Sequence, residues 1–348
     1  MSGRANTGVL AGLVLAVWPV VGLAQGFAGL GTAVDGFERP DPDYELRFPS
    51  DHAAHPGFRV EWWYVTANLS DADGNAYGLQ WTLFRTAPSS EADATPIWLG
   101  HAAVTTEADH FATERWAMGG TGQAGVSQPP VEAWIDEWVL TDFGADEMTL
   151  RAGGSDFAFD MTMEEVGPIV LQGDDGFSVK SQDGRASHYY SLPFLDISGV
   201  LTFADREVAV SGHAWIDREW SSQPLAEDQT GWDWFSLAFD DGSRLMGFQL
   251  RGGDVFTAGT LISADGEARP LPDGAFEARP IERHEVAGRD VPVVWSVTVA
   301  EVGIDVTVEA VNREAWMPLT VPYWEGPVRV SGSHEGSGYL EMTGYPER

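Results

Sequence analysis

Cysteine is absent from this chain of 348 residues, which excludes disulfides, thiolate metal sites and cysteine nucleophiles at once. Lysine is nearly absent: Lys180 stands alone against 19 Arg. Positive charge is scarce altogether, with 20 Lys and Arg against 53 Asp and Glu and a net charge of −33. Such a field repels polyanions, so nucleic acid is excluded as a partner, and contact with an anionic membrane surface is not expected. Stretches with helical period are missing too. A long apolar run occurs only near the N-terminus.

That run, Val9 to Leu23, follows a segment whose one charge is Arg4, and Gly22-Leu23-Ala24 supplies the small residues that a signal peptidase requires. It is short for a membrane span. Residues 1 to 24 are therefore expected to be a cleaved signal peptide, and the mature protein, of charge −34 without Arg4, to be periplasmic or secreted. Residues 25 to 45 form a Gly/Pro/Asp-rich, flexible lead.

What is present is β-structure. With 40 Gly and 20 Pro spread among short Val, Thr, Trp and Phe runs, the chain reads as many strands and turns. Arg59 to Leu69 and Ala76 to Thr86 flank an Asp/Gly/Asn turn and form a hairpin. Further strands are expected at 97–105, 134–141, 148–151, 157–163, 188–191, 197–203 and 208–220. The second half adds 232–239, 244–251, 255–262, 293–299, 304–311, 323–331 and 338–343. The fold class is all-β, and 43% hydrophobic residues suffice for its cores.

The two halves repeat one pattern. An acid (Glu61) precedes Trp63-Tyr64, a DG turn and a strand ending on Arg85; Asp233 precedes Trp234-Phe235, a DG turn and a strand ending on Arg251. Duplication of this kind would give two related β-barrels, each opened by the same hairpin. A barrel of about eight strands encloses room for one small ligand.

The densest chemistry lies in GHAWIDREWSSQPLAEDQTGWDWFSLAFDDG, Gly212 to Gly242, with four Trp, seven acids and one Arg. On the strand that holds them, His213, Trp215, Asp217 and Glu219 alternate onto one face, with Arg218 on the other. A buried carboxyl beside a second one stays protonated toward neutral pH, as acid catalysis on an apolar substrate requires. The competing account is architectural: Glu61, Asp217, Glu219 and Asp233 pair with Arg85, Arg218 and Arg251 while the Trp side chains close the cores. Ligand orientation without chemistry is the third.

Several motifs resemble a known family. FPSDHAAHPGFRVEWWYVTANL, GLQWTLFR, LQGDDGFSVKSQDGRASHYYS, SGHAWIDREWSS, GWDWFSLAFDDGSRLMGFQLR and YWEGPVRVSGSHEGSGYLEMTGY are similar to the carotenoid 1,2-hydratase-like (CrtC/AttH-like) family, in its secreted AttH-like branch. The resemblance spans Phe48 to Tyr345. It implies two tandem lipocalin-like, allene-oxide-cyclase-like β-barrels, here over 46–222 and 223–348, with a ligand cavity in or between them and no metal or organic cofactor. The namesake enzymes add water to a terminal C=C of acyclic carotenoids. His213 and Trp215 resemble the hydratase His-x-Trp pair, whereas Phe248-Gln249-Leu250 stands where hydratases carry Tyr-x-Asp, which removes their proton donor.

The expected ligand is a small apolar molecule: an isoprenoid, a polyene or a lipid. Asp217 or Glu219 would act as acid and His213 would position water. Trp215, Trp220, Trp232 and Trp234 would wall the site together with Trp63, Tyr64, Tyr189, Tyr190 and Trp324. Glu61, Asp233, Glu325 and the lone Lys180 complete the candidates. As a carrier, the protein would use the same pocket with its acids tied to Arg. His52 and His55 have metal-like spacing but no third ligand nearby, so no metal is expected. Ser178, Ser187 and Ser191 lie near His188 without a nucleophile elbow, so no hydrolase triad is expected either. Trp-rich acidic surfaces also suit sugars, a lesser reading.

Overall fold

The structure is a computed structural model that describes residues 29–348 except 33, 92–93 and 204–205. The expected signal peptide lies outside the described residues. Within the lead, the Arg59 guanidinium donates to the carbonyls of Gly29 and Thr32, 2.8 and 2.7 Å away.

The first of two large curled antiparallel sheets begins with β1 (Val60–Ser70), β2 (Ala76–Thr86), β3 (Ile97–Thr106), β4 (His110–Met118) and β5 (Ala124–Val126). It continues with β6 (Val131–Ile135), β7 (Trp138–Phe143), β8 (Glu147–Gly153) and β9 (Phe157–Glu165). The short β10 (Val170–Leu171) and β11 (Phe177–Val179) precede the long β12 (Ala186–Phe203) and β13 (Arg206–Ser221). The second sheet holds β14 (Gly231–Phe239), β15 (Arg244–Arg251), β16 (Phe256–Ile262), β17 (Ala268–Leu271) and β18 (Glu277–Val286). β19 (Arg289–Val299), β20 (Ile304–Ala310), β21 (Trp316–Met317), β22 (Tyr323–Gly332) and β23 (Gly336–Met342) complete it.

The sheets follow the same path: β4-β3-β2-β1-β13-β12 in the first, β17-β16-β15-β14-β23-β22 in the second. In each, the opening hairpin is zipped onto the last long strand. The repeated residues do equivalent work. Glu61 lies opposite Arg85 and pairs with it at 3.0 Å, and Asp233 pairs with Arg251 at 3.1 Å. The turns close on Gly74 and Gly242, both at positive φ, where a Cβ would be strained.

Each barrel interior is filled. Trp63, Trp81, Trp138 and Ile216 belong to the first core, and Phe235, Trp295 and Val308 to the second. Between the sheets lies a third cluster, containing Tyr64, Tyr189, Trp215, Trp234 and Phe248. On β1, Trp63, Val65 and Ala67 point into the barrel while Tyr64 points out to the partner sheet. β14 and the second half of β13, from Ala214 to Ser221, divide their side chains the same way, so they are buried on both faces and nearly every residue there is inaccessible.

Some elements differ from their sequence expectation. The run 134–141 is broken by a turn at Asp136, which takes φ 52° and separates β6 from β7. The runs 188–191 and 197–203 are one strand, β12, which carries Pro193 at a register shift between Leu192 and Leu195; a bulge accommodates a residue that cannot donate to the ladder. β4 and β18 lack clear alternation because few of their side chains are buried.

Candidate functional site

A cavity of about 140 Å³ lies where the outer face of β1, β12 and β13 meets that of β14, β15 and β23. The first sheet contributes Tyr64, Tyr189, Asp217 and Glu219, and the loop between β11 and β12 contributes Lys180. Trp232, Trp234, Phe248, Leu250 and Glu341 come from the second sheet, and Leu225 from the connection between the two. The walls are mostly aromatic and aliphatic, with acids from β13 and β23 facing Lys180 and with Glu61 and Arg85 contributed by β1 and β2.

Asp217 is buried and, among the described residues, has no cationic partner. Its Oδ1 accepts from Ser191 Oγ at 2.5 Å and Trp215 Nε1 at 2.6 Å, and its Oδ2 accepts from Tyr189 Oη at 2.6 Å. Tyr189 Oη in turn accepts from Trp234 Nε1 at 3.2 Å, which joins the two sheets through this carboxyl's network. Burial raises its pKa, the three donors oppose that, and neighbouring Glu219 adds to it; the outcome is about 7. Near neutral pH this carboxyl is present in both protonation states.

Glu219 differs. Lys180 Nζ lies 3.1 Å from its Oε1, and Ser187 Oγ donates to the same oxygen. The ammonium rests over the rings of Tyr189 and Phe248, 4.6 and 4.3 Å from their centroids. The backbone of Lys180 is held by a 2.6 Å bond from its N–H to Arg185 O and a 2.9 Å bond from Gln229 Nε2 to its carbonyl.

On the opposite wall, Glu341 lies directly across the β22–β23 ladder from Glu325. Burial pushes Glu341 up to about 7, with Asp217 and Glu219 adding to the rise and a Trp232 hydrogen bond opposing it. Burial and the Glu341 charge hold Glu325 well above the usual carboxylate range. Tyr64 donates to Glu325 Oε1, and hydrogen bonding by Tyr64 and Tyr323 opposes the rise of the Glu325 pKa.

Of the remaining sequence candidates, Glu61 lines the cavity together with its partner Arg85, and the others are placed elsewhere. His213 does not line the cavity; its Nε2 faces Ser337 Oγ at 3.4 Å, and burial lowers its pKa to about 4. Trp215 supports Asp217 from behind the wall. Trp63 and Trp220 belong to the first barrel's core, where Arg218 lies 3.8 and 5.1 Å from their ring centroids. Arg218 and Arg85 bind Glu61 at 2.5 and 3.0 Å; burial works against that carboxylate's charge, but Arg218, His55 and Arg85 together hold its pKa down at about 2. Asp233 is raised by burial despite Arg251, and also accepts from Gln249 and Tyr345. Trp324 packs in the second core, and Tyr190 Oη meets His52 Nδ1 at 2.6 Å. His55 stacks on Trp220 with centroids 3.8 Å apart.

Sequence reasoning paired the acids with Arg; the cation at Glu219 is Lys180, and Arg218, on the alternate face, serves Glu61 instead. It also passed over Leu225 and Glu341. The second had a signal: an acid in the otherwise apolar strand Tyr339-Leu340-Glu341-Met342.

Comparison with known proteins supplies context. The model of a family described as AttH-like matches residues 39–345. The crystal structure of an AttH candidate from Nitrosomonas europaea is 32% identical, with a TM-score of 0.82 over 89% of this chain and 99% of that one. Kievitone hydratase from Nectria haematococca superposes with a TM-score of 0.65 at 16% identity, over 89% and 98% of the two chains. CghA with Sch210972 follows at 0.54 and 13%, over 83% and 89%. The last two share the lipocalin-like fold. A search of curated proteins gives no match.

Proposed function

The chain belongs to the AttH-like family, and from the cavity enclosed by its two barrels we propose that it takes up an apolar isoprenoid, polyene or lipid-like molecule and adds water to one of its carbon–carbon double bonds. The observation that carries this reading is Asp217: a buried carboxyl on the cavity wall with three hydrogen-bond donors, no cation and a pKa of about 7. A carboxyl paired to Arg or Lys is ionised and gives no proton; this one retains its proton near neutrality.

In the first step the Asp217 proton goes to the less substituted carbon of the alkene, whose π pair forms the new C–H bond and leaves a tertiary cation. The rings of Trp232 and Trp234 stabilise that charge. Water adds to the cation and returns a proton to the Asp217 carboxylate, so the net change is addition of one water and no cofactor is consumed. The Glu219 carboxyl, held by Lys180 at 3.1 Å, adds to the rise of the Asp217 pKa. About 140 Å³ is less than the ~300 Å³ that encloses a drug-sized ligand, so the cavity receives one end of a long molecule. The remainder would pass half-buried Trp62, Phe84 and Thr86 at the rim. The fold shared with a protein named as a hydratase is compatible with this reaction class. With its N-terminal pattern, the protein would work after export, in the periplasm or outside the cell.

Solvent extraction of the purified mature protein, with mass spectrometry of what is released, tests the reading. A polyene or prenyl lipid recovered hydrated from wild type and unaltered from Asp217→Asn supports it. The same unaltered molecule from both would make the protein a carrier, and an empty extract with Trp fluorescence indifferent to added isoprenoids would remove the apolar ligand.

A further inference from the structure

Lys180 is the only lysine among 348 residues, and the hydration chemistry above makes no direct use of its amine. Its place is unusual for a residue kept merely to balance charge. The side chain is buried, lines the cavity, touches one carboxylate at 3.1 Å and otherwise lies against the rings of Tyr189 and Phe248. A guanidinium matches a carboxylate better than an ammonium does, and Arg is what pairs with the buried acids Glu61 and Asp233. What a lysine adds at such a site, and an arginine does not, is a primary amine able to become a nucleophile when desolvated in an apolar pocket.

We propose that Lys180 captures apolar aldehydes admitted to the cavity as a reversible imine, with Glu219 as proton acceptor and counter-ion. The proposal rests on the cavity being a ligand site, but not on the hydration reaction. Glu219 Oε1 takes one proton from the Lys180 ammonium, and the freed lone pair attacks the carbonyl carbon. A carbinolamine results, with its oxygen protonated by the ammonium-derived hydrogens. Glu219 returns its proton to that hydroxyl, the C–O bond breaks, and water departs. The product is an iminium that keeps the single positive charge of the original ammonium, so the ion pair with Glu219 persists. No oxidant or reductant is required, and adding water back releases the aldehyde.

The experiment treats the purified mature protein with citronellal and sodium cyanoborohydride and locates the reduced adduct by intact mass and peptide mapping. The N-terminal amine is the internal control, as the one other primary amine in the chain. The expected result is one adduct at Lys180, formed on the order of tenfold faster than at the N-terminus and suppressed by citronellol, which has the same chain but no carbonyl. Lys180→Arg should lose it; because mapping is done on wild type, the result does not depend on that variant folding. Labelling of Lys180 no faster than the N-terminus, or undiminished by citronellol, overturns the proposal. Trp quenching by citronellol separates the two claims: binding without trapping defeats imine formation and leaves the ligand site standing, whereas neither binding nor trapping defeats both.

Discussion

Asp217 and Glu219 stand two residues apart on one face of β13, and only Glu219 has a cation, Lys180 at 3.1 Å. The neighbouring carboxyls are thereby set to different tasks. Glu219 holds a charge, and Asp217, supported only by Ser191, Tyr189 and Trp215, can hold a proton.

That difference should be visible in the pH dependence of stability. The Asp217 pKa is about 7 in the folded protein against 3.8 as its ordinary value, so between those values the folded state binds a proton that the unfolded state has lost. Stability contributed by this group is therefore greatest at low pH, declines as pH rises toward 7, and is level above it. Urea unfolding of wild type and Asp217→Asn at pH 5 and pH 8 should show wild type losing about 2–4 kcal/mol relative to the variant across that interval. A constant difference would mean Asp217 is ionised throughout.

Removing Lys180 strands the Glu219 charge. Lys180→Met should cost about 3–5 kcal/mol in denaturant unfolding, whereas Lys180→Met combined with Glu219→Gln should recover most of the loss. Equal losses in the single and double variants would show that the cost comes from the aliphatic stem rather than from the unpaired carboxylate.

Arg218 belongs to a different structure, although it lies between the two acids in sequence. It binds Glu61, reaches Ala53 O at 2.7 Å and covers Trp63 inside the first barrel. Arg218→Ala should destabilise by about 3–5 kcal/mol, while quenching of Trp fluorescence by an apolar ligand retains its midpoint in whatever folded fraction remains. A shifted midpoint at unchanged stability would place Arg218 in the site.

The two sheets are joined through buried polar contacts. Tyr64, on the first, donates to Glu325 on the second, a carboxyl also supported by Tyr323. Tyr64→Phe should cost about 1–3 kcal/mol, because it leaves a buried carboxyl with one donor fewer. Calorimetry would read this as a lower melting temperature, and an unchanged one would mean that the contact contributes nothing net.

Much of this was legible in the sequence because strand period and turn chemistry are local. The β1–β2 hairpin, the acid-Trp-Arg repeat and the alternation of Asp217 and Glu219 against Arg218 follow from spacing alone. The Arg partners of Glu61 and Asp233 were legible, but the partners of Asp217 and Glu219 were not, because alternation says which residues share a face but not which sheet that face meets. Arg218 is adjacent to both acids in sequence yet faces the barrel interior, while Lys180 comes from a loop 39 positions before Glu219 and closes on it. His213 shares the Asp217 face but lies beyond the end of the cavity, beside Ser337, a placement set by how the barrels dock.

The most direct test of the account is incubation of the protein with geraniol in water labelled with heavy oxygen, followed by mass spectrometry of the recovered alcohol. The account predicts a hydrated product carrying one heavy oxygen from wild type and none from Asp217→Asn, with both proteins binding geraniol by Trp quenching. Bound geraniol recovered unaltered from wild type, or labelled product formed equally fast by Asp217→Asn, would contradict it.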